Sequence, residues 1–347
     1  MNIEQVKEIA NAVLYESYLL YPYRQSAIKN RQRWTIGVVY PREYSMANGG
    51  LEPWAMQTEC LGAGEANTTF DLHVRFLHLL VCTVKQSERT ARQPQQIQDQ
   101  DSTLHTGEWS IASRFAAEPR EEGMEREVSA LNLSLNELLE HTHTLDFAFP
   151  GTRIVDEPDD ASSHTLVREQ QPLKGTVTIA ARRIDTEIFK LTVRIENSTP
   201  ETAAIANLHD VMLHSFISSH TILQVHQGMF ASSMDPPEAM HALTQECTNI
   251  RTWPILVGSE GDSDFMLSSP IILYDYPQIA PESPGSLFDS TEIDEILTLR
   301  IMTLTDEEKD EMRHGDMRVR EILERTENLT PEAFMKLHGT LRSGEPG

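Results

Sequence analysis

The chain has 347 residues, with 29 Lys plus Arg against 53 Asp plus Glu, for a formal net charge of −24. A summed field of that sign repels polyanions, so the composition argues against non-specific attraction to nucleic acid or anionic lipid and favours basic partners. Leu, Ile, Val and Phe run along the whole length, which excludes a wholly disordered chain. The size suits two or three domains, or one large unit with additions.

Three cysteines, Cys60, Cys82 and Cys247, are odd in number and far apart. That argues against a disulfide framework and for thiols in a reducing compartment. No segment has about 18 consecutive apolar residues, and the N-terminal MNIEQVKEIANAV is amphipathic and mixed in charge, unlike a secretory signal. The expectation is a cytoplasmic protein without membrane insertion.

Val6, Ile9, Val13 and Leu14 recur at helical spacing, predicting a helix from about Ile3 to Leu20 that Pro22 ends. Arg33–Tyr40 and Trp54–Leu61 are β-branched or aromatic runs bounded by Pro41, Asn48-Gly49-Gly50 and Gly62, and they predict paired strands. Phe70, Leu72, Val74 and Phe76 alternate within Phe70–Val84, the pattern of a long strand entering a core. Gln86–Ser102 is polar and glutamine-rich, the composition of an exposed loop. His105–Phe115 predicts another strand. Leu131, Leu133, Leu135, Leu138 and Leu139 suit a strand followed by a helix, which periodicity alone does not separate.

Asp156–Pro172 is a second polar connector. Beyond it, Val177, Ile179 and Ala181 alternate, Asp185-Thr186-Glu187 turns, and Phe189, Leu191, Val193 and Ile195 alternate again, predicting a hairpin over 174–198. A helix through Ile205, Leu208, Val211 and Met212, a strand at Thr221–Val225, a helix over Pro236–Cys247 and strands near Ile255 and Ile271 follow. After Pro284-Gly285 the pattern turns helical. Asp289, Ser290 and Thr291 are N-cap residues, and Ile293, Ile296, Leu297, Ile301 and Leu304 form an apolar stripe. Thr305 and Glu308 have the spacing of a capping box, and Thr330-Pro331 opens a last helix. The predicted class is α+β, mainly antiparallel β with a sandwich-like core, an N-terminal helix and a C-terminal helical segment. Regions 1–155, 156–288 and 289–347 are the candidate domains, or parts of one continuous unit.

The candidate chemistry is thin. Thirteen histidines invite a metal reading, and His209, His214, His220 and His226 cluster. Their spacings match no helical i, i+4 pair or His-Glu-x-x-His; His214 and His220, which a helix-to-strand turn could bring together with Cys60 or Cys247 as a soft third ligand, are the metal candidates. Cys60 follows Glu59, whose charge would raise a thiol pKa, the opposite of activation. No nucleophile elbow or phosphate-binding loop is present: Gly62-Ala63-Gly64 lacks a third glycine and the helix that should follow. The acids of the C-terminal segment sit at helix starts, where they complement the dipole. One basic, aromatic island stands out, with Arg24, Arg31 and Arg33 as contact candidates for an anion or for the chain's own acids.

The run Ser268–Arg313 packs four prolines and two helix starts into one stretch, so it must hold a single conformation, a rigidity that serves packing or docking. Tyr274, Asp275 and Tyr276 are its contact candidates. The blocks VLYESYLLYPYRQSAIKNRQRWTIGVVYP, EPWAMQTECL, SSHTILQVHQGMFASSMDPPE, TWPILVGSEG and SSPIILYDYPQIAPESPGSLFDSTEIDEILTLRIMTLTDEEK resemble a bacterial family encoded beside actinobacterial-type, oxygen-tolerant nickel–iron hydrogenases. The resemblance spans Val13 to Arg325 and brings no catalytic residue with it. It implies a non-enzymatic, chaperone-like accessory that contacts a hydrogenase subunit or maturation protein and needs no cofactor. A metal-dependent enzyme built on the histidines and an anion or nucleic-acid binder built on the basic island are the alternatives.

Overall fold

The structure, a computed structural model, describes residues 2–14, 34–86, 120–156, 164–200, 208–277, 294–313 and 317–330. Helix α1 (Ile3–Leu14) opens with a reciprocal cap, in which the Gln5 amide donates to Asn2 Oδ1 and the Asn2 amide to Gln5 Oε1. Two orphan backbone donors are thereby satisfied. The basic island's Arg24, Arg31 and Arg33 lie outside the described residues, as do the predicted strand at His105–Phe115, the predicted caps at Asp289–Thr291 and most of the Gln86–Ser102 loop.

The organising element is β1 (Ala55–Gln86), a strand of 32 residues. It absorbs both Trp54–Leu61 and Phe70–Val84, which the sequence separates at Gly62. That glycine serves close approach: a Cβ there would lie 2.4 Å from Phe189 Cζ and 2.6 Å from the Met229 carbonyl. Two strands crowd the same point from opposite sides, and only a residue without a side chain lets them pair.

Around β1 the described residues build a ten-stranded, antiparallel sheet. The strands are β2 (Arg120–Ser134), β3 (His143–Phe149), β4 (Thr152–Asp156), β5 (His164–Gln170), β6 (Leu173–Arg183), β7 (Ile188–Asn197), β8 (Ile217–Phe230), β9 (Trp253–Leu256) and β10 (Phe265–Ser269). On one edge β1 pairs with β7 over Ala55–Ala63 and then with β2 over Thr69–Cys82. On the other it pairs with β8 over Gly62–Leu77 and then with β5 over Leu80–Gln86. Because β7 gives way to β2, the sheet splits into two layers that face one another. Phe76 of β1 meets Phe216 at 4.7 Å, Phe147 at 5.8 Å and Phe149 at 6.0 Å between ring centroids, and Phe70 meets Phe189 at 5.3 Å. This is the sandwich-like core of an α+β protein. Short helix α3 (Leu135–Glu140) follows β2 directly and adds buried Leu135 and Leu138 to the same cluster, so the leucine run is strand then helix.

Helices cover the outer faces. Val6, Ile9 and Ala10 of α1 pack on Ile222, Ile255, Val257, Phe265 and Leu267. Leu77 and Leu79 of β1 meet Ile301, Met312, Val319, Ile322 and Leu323. These last five come from α6 (Asp294–Met302), α7 (Asp306–Arg313) and α8 (Met317–Glu327), and α8 has no counterpart among the sequence expectations. The capping box of α7 forms as the spacing predicts, with Thr305 N–H donating to Glu308 Oε2 at 2.9 Å and Glu308 N–H to Thr305 Oγ1 at 3.2 Å. Two further short helices, α4 (Leu208–Met212) and α5 (His241–Thr244), fall within longer predicted ones. A six-residue helix after Pro41, α2 (Arg42–Ala47), completes the set among the described residues.

Several expectations fail for identifiable reasons. Residues 34–40 form no strand, only an isolated bridge from Val39 to Phe216, because Trp34 (φ 68°) and Gly37 (φ 59°) are left-handed and break the extended run. Gly37 lies under Pro270, whose Cβ is 2.7 Å from where its own would be. The strand expected near Ile271 ends at Ser269, since Pro270 has no N–H for the ladder. Much of the second polar connector is strand β5, whose polar residues sit between β4 and β1. The β4–β5 pairing also carries the sheet across the expected boundary at 155/156. The hairpin at 174–198 is β6 and β7, as alternation predicts.

Phe76 touches three rings from two other segments of the layered core, Phe147 and Phe149 of β3 and Phe216 just before β8. Phe76→Ala is expected to cost about 3–5 kcal/mol in chemical denaturation, the range for a deleted buried aromatic. A loss under about 1 kcal/mol would show that the two layers do not depend on this contact.

Candidate functional site

Strand alternation places two polar clusters on opposite faces of β1. On the outer face, His220 of β8, Arg75 of β1 and Glu127 of β2 form one cross-strand row beneath α1. Arg75 is 5 % exposed; its Nη2 donates to Asn11 Oδ1 at 2.7 Å and reaches Glu125 at 3.3 Å. Glu127 collects Lys7 at 3.2 Å and His73 Nδ1 at 2.9 Å, and the Ser129 hydroxyl donates to it at 3.0 Å. The His73 hydrogen bond, with those from Ser129 and Lys7, outweighs burial and holds the Glu127 carboxyl down at about 2. Burial, reinforced by Arg75, pushes His220 down to about 3, and its Nδ1–H donates to the Ser218 carbonyl at 2.9 Å.

This group contains Ser, His and Glu, yet it is not a charge-relay triad. Ser129 and Glu127 both approach the same ring nitrogen of His73, whereas a relay needs the carboxylate on one nitrogen and the hydroxyl on the other. It is an ion-pair network that fastens α1 to the sheet.

The second cluster lies inside the sandwich at the end where aromatic packing stops. His78 is fully buried and its Nε2 lies 2.8 Å from the Gln171 carbonyl. Arg126 stacks over Phe149 at 4.7 Å and donates to Gln170 Oε1 at 2.9 Å. His214, 6 % exposed, hydrogen-bonds the Pro172 carbonyl. Burial is the main reason His78 is pushed down to about 4, with Arg126 and His214 adding to it. Burial likewise lowers His214, against the opposing influence of its Pro172 bond and of Asp210.

The predicted metal candidates are therefore dispersed. His214 joins His78, His220 joins Arg75, and Cys60 sits in the hydrophobic core; no group of three such ligands occurs among the described residues. Burial above all, then Cys247 and Glu59, raises the Cys60 thiol, which is the inert state its neighbour Glu59 suggests. Glu59 itself is held by Lys190 at 2.8 Å and by the Thr248 amide at 2.8 Å. The three cysteines are thiols. The partnership of His78 with His214 had no local signal. One was available for His73 and His78, since residues five apart on a strand point to opposite faces and cannot share a ligand.

The contact candidates divide sharply. Asp275 is a pin: Oδ2 accepts from the Ser232 hydroxyl at 2.5 Å and Oδ1 from the Leu256 amide at 2.7 Å. Tyr276 donates its amide to the Leu256 carbonyl at 2.8 Å, adopts φ 58° and packs against the sandwich core. Only Tyr274 is presented outward, 81 % exposed, with Ile272 at 70 % on the same alternation. Ile271 and Leu273 point the other way, onto the α1 cluster. On β9, at one end of the sheet, Trp253 is 42 % exposed. A shallow open groove at the irregular part of β1, lined by Ala63, Gly64, Glu65, Glu187, Gly228 and Met229, holds no comparable set of groups.

The depressed Glu127 carboxyl carries a pH signature. Its contribution to stability is complete above the ordinary value of 4.5 and is lost as pH falls towards 2. Glu127→Gln is expected to melt at lower temperature at neutral pH and to show a shallower decline across that acid window. Equal slopes for variant and parent would mean that Glu127 does not fasten α1.

No family model matches the chain, and no curated protein matches it. Among solved structures it is similar to the open-gate secretin of the Salmonella SPI-1 type III secretion injectisome. That likeness, 13% identity over 79% of this chain and 82% of that chain at a TM-score of 0.16, carries no argument about fold or function.

Proposed function

We propose that the protein acts by protein–protein contact, as a non-enzymatic accessory in the assembly of a nickel–iron hydrogenase, with the Ile272–Tyr274 loop as its contact surface. The observation that carries the contact reading is the pairing of exposure with rigidity at this loop. Tyr274 and Ile272 stand outward while Asp275 and Tyr276 are fastened to Leu256 and Ser232. Large exposed side chains on a backbone already held in place lose little entropy when they are buried by a partner, and tyrosine is among the residues that dominate interface energetics. The hydrogenase assignment rests on the sequence resemblance. The acidic surface, at net charge −24, favours a basic partner face.

Tagged protein produced beside the hydrogenase operon is expected to co-purify a hydrogenase subunit or a maturation protein. Tyr274→Ala with Ile272→Ala should weaken that capture by about tenfold or more, the scale of a lost aromatic anchor, while leaving the melting temperature unchanged. Undiminished capture by the double variant would place the contact elsewhere. Normal hydrogenase maturation in a deletion strain would remove the assembly role.

A further inference from the structure

We propose that His78 and His214 form an acid-triggered latch: as neutral rings they hold the link between β5 and β6 shut at the end of the sandwich, and their protonation releases it. The link is only Gln171 and Pro172, and the two rings grip its consecutive carbonyls from two different segments. His78 comes from the middle of β1, and His214 from the turn between α4 and β8. A carbonyl can only accept, so the proton of His78 sits on Nε2. In both rings Nδ1 is sealed from solvent and has no hydrogen-bond partner. Each ring is thereby held in one tautomer, with the lone pair of Nδ1 buried and unpartnered.

A proton arriving on either Nδ1 would create a buried cation with an unmatched donor. The charged groups around the pair make this worse for His78 and better for His214. Arg126 of β2 acts on His78 with like charge, the two rings act on each other, and Asp210 of α4 opposes the effect at His214. Gln170 offers no relief, because its oxygen is taken by Arg126 and its amide faces the His78 carbonyl at 3.4 Å. The Nε of Arg126 is likewise sealed and without a partner. The cheapest response is to let water in by parting the link from β1.

The sign follows from linkage. The closed form holds His78 at about 4, whereas an exposed imidazole sits at 6.5, so the open form binds more protons throughout that interval. Acidification from neutrality therefore drives opening from about 6.5 downward, before Glu127 with its ordinary value of 4.5 responds; His220 shares that onset but lies on the opposite face, beneath α1 and away from the link. What opens is defined by position. The link carries β5 into β6, and β6 holds the edge strand β3 with Phe147 and Phe149.

Hydrogen–deuterium exchange of the full chain, compared at about pH 7.5 and about pH 4.8 after correction for intrinsic rates, tests this. Peptides covering 145–149 and 167–173 should lose protection by about fortyfold more than those covering β7, in line with protonation of one ring across the roughly 1.7 pH units between 6.5 and 4.8. His78→Gln with His214→Gln keeps amide donors for the two carbonyls but cannot titrate, and is expected to abolish the selective loss. Selective loss that persists in the variant, or uniform loss across the sheet of the parent, would overturn the latch. Should the variant not fold, nitrogen NMR of the parent decides. Both rings are expected to be Nε2–H tautomers at neutral pH and to titrate together with the change in exchange. A ring that titrates near 6.5 without that change refutes the proposal.

Discussion

Hydrogen bonding along both edges of β1 is the constraint on which the other layers rest. A strand of 32 residues presents far more backbone donors and acceptors than one neighbour satisfies, and four strands share the work, two on each edge. Where β7 hands over to β2, the neighbours diverge, and the single sheet becomes two facing layers. The hand-over needs a residue at Gly62 that leaves room for Phe189 and for the Met229 carbonyl at once. The chain stays extended there because the backbone is pinned on both sides; the glycine supplies clearance.

Side-chain alternation along the same strand then sorts the interior. Phe70, Leu72, Val74 and Phe76 fill the space between layers, while Leu77 and Leu79 serve the C-terminal helices. Polar residues enter at two places and are treated differently. Arg75 and Glu127 sit among compensating partners near the α1 surface, where salt bridges and amides answer most of their hydrogen-bonding capacity. His78 and His220, both fully buried, are each answered on one nitrogen only. An interior that stays neutral avoids the desolvation cost of charge, and it does so by fixing each imidazole's tautomer against a carbonyl.

Much of this fold was legible in the sequence wherever one period ran uninterrupted. The β6–β7 hairpin and the inward set of β1 follow from alternation, and the α7 cap follows from Thr305 and Glu308. What escaped was set by distant partners. Gly62 has the look of a turn residue, and nothing beside it announces that Phe189 crowds it. His164–Gln170 is too polar to suggest a strand, yet it is paired on both edges, so ladder bonds outweigh composition. The residues at 34–40 have strand character but are bent to fit beneath Pro270. At the site level, sequence proximity grouped His214 with His220. The turn into β8 sends them to different clusters, and the true neighbour of His214 is 136 positions away by numbering, a juxtaposition that only the tertiary fold creates. Of the three neighbouring residues Tyr274, Asp275 and Tyr276, the first is exposed, whereas the other two are fastened to Ser232 and Leu256, a division the sequence does not announce.

The length of β1 has a consequence for how the molecule is made. The strand is synthesised early and β2 can line one edge of its centre soon afterwards, but its first stretch waits for β7 and the other edge of its centre for β8, more than a hundred residues later. Until then a nascent chain carries a long apolar segment with its first stretch unpaired and one edge of its centre open, and contacts of such sequence separation close slowly. Emergence from the ribosome is thus the moment of greatest exposure, and a holding factor that masks an extended strand would act on this protein before this protein could act on any other.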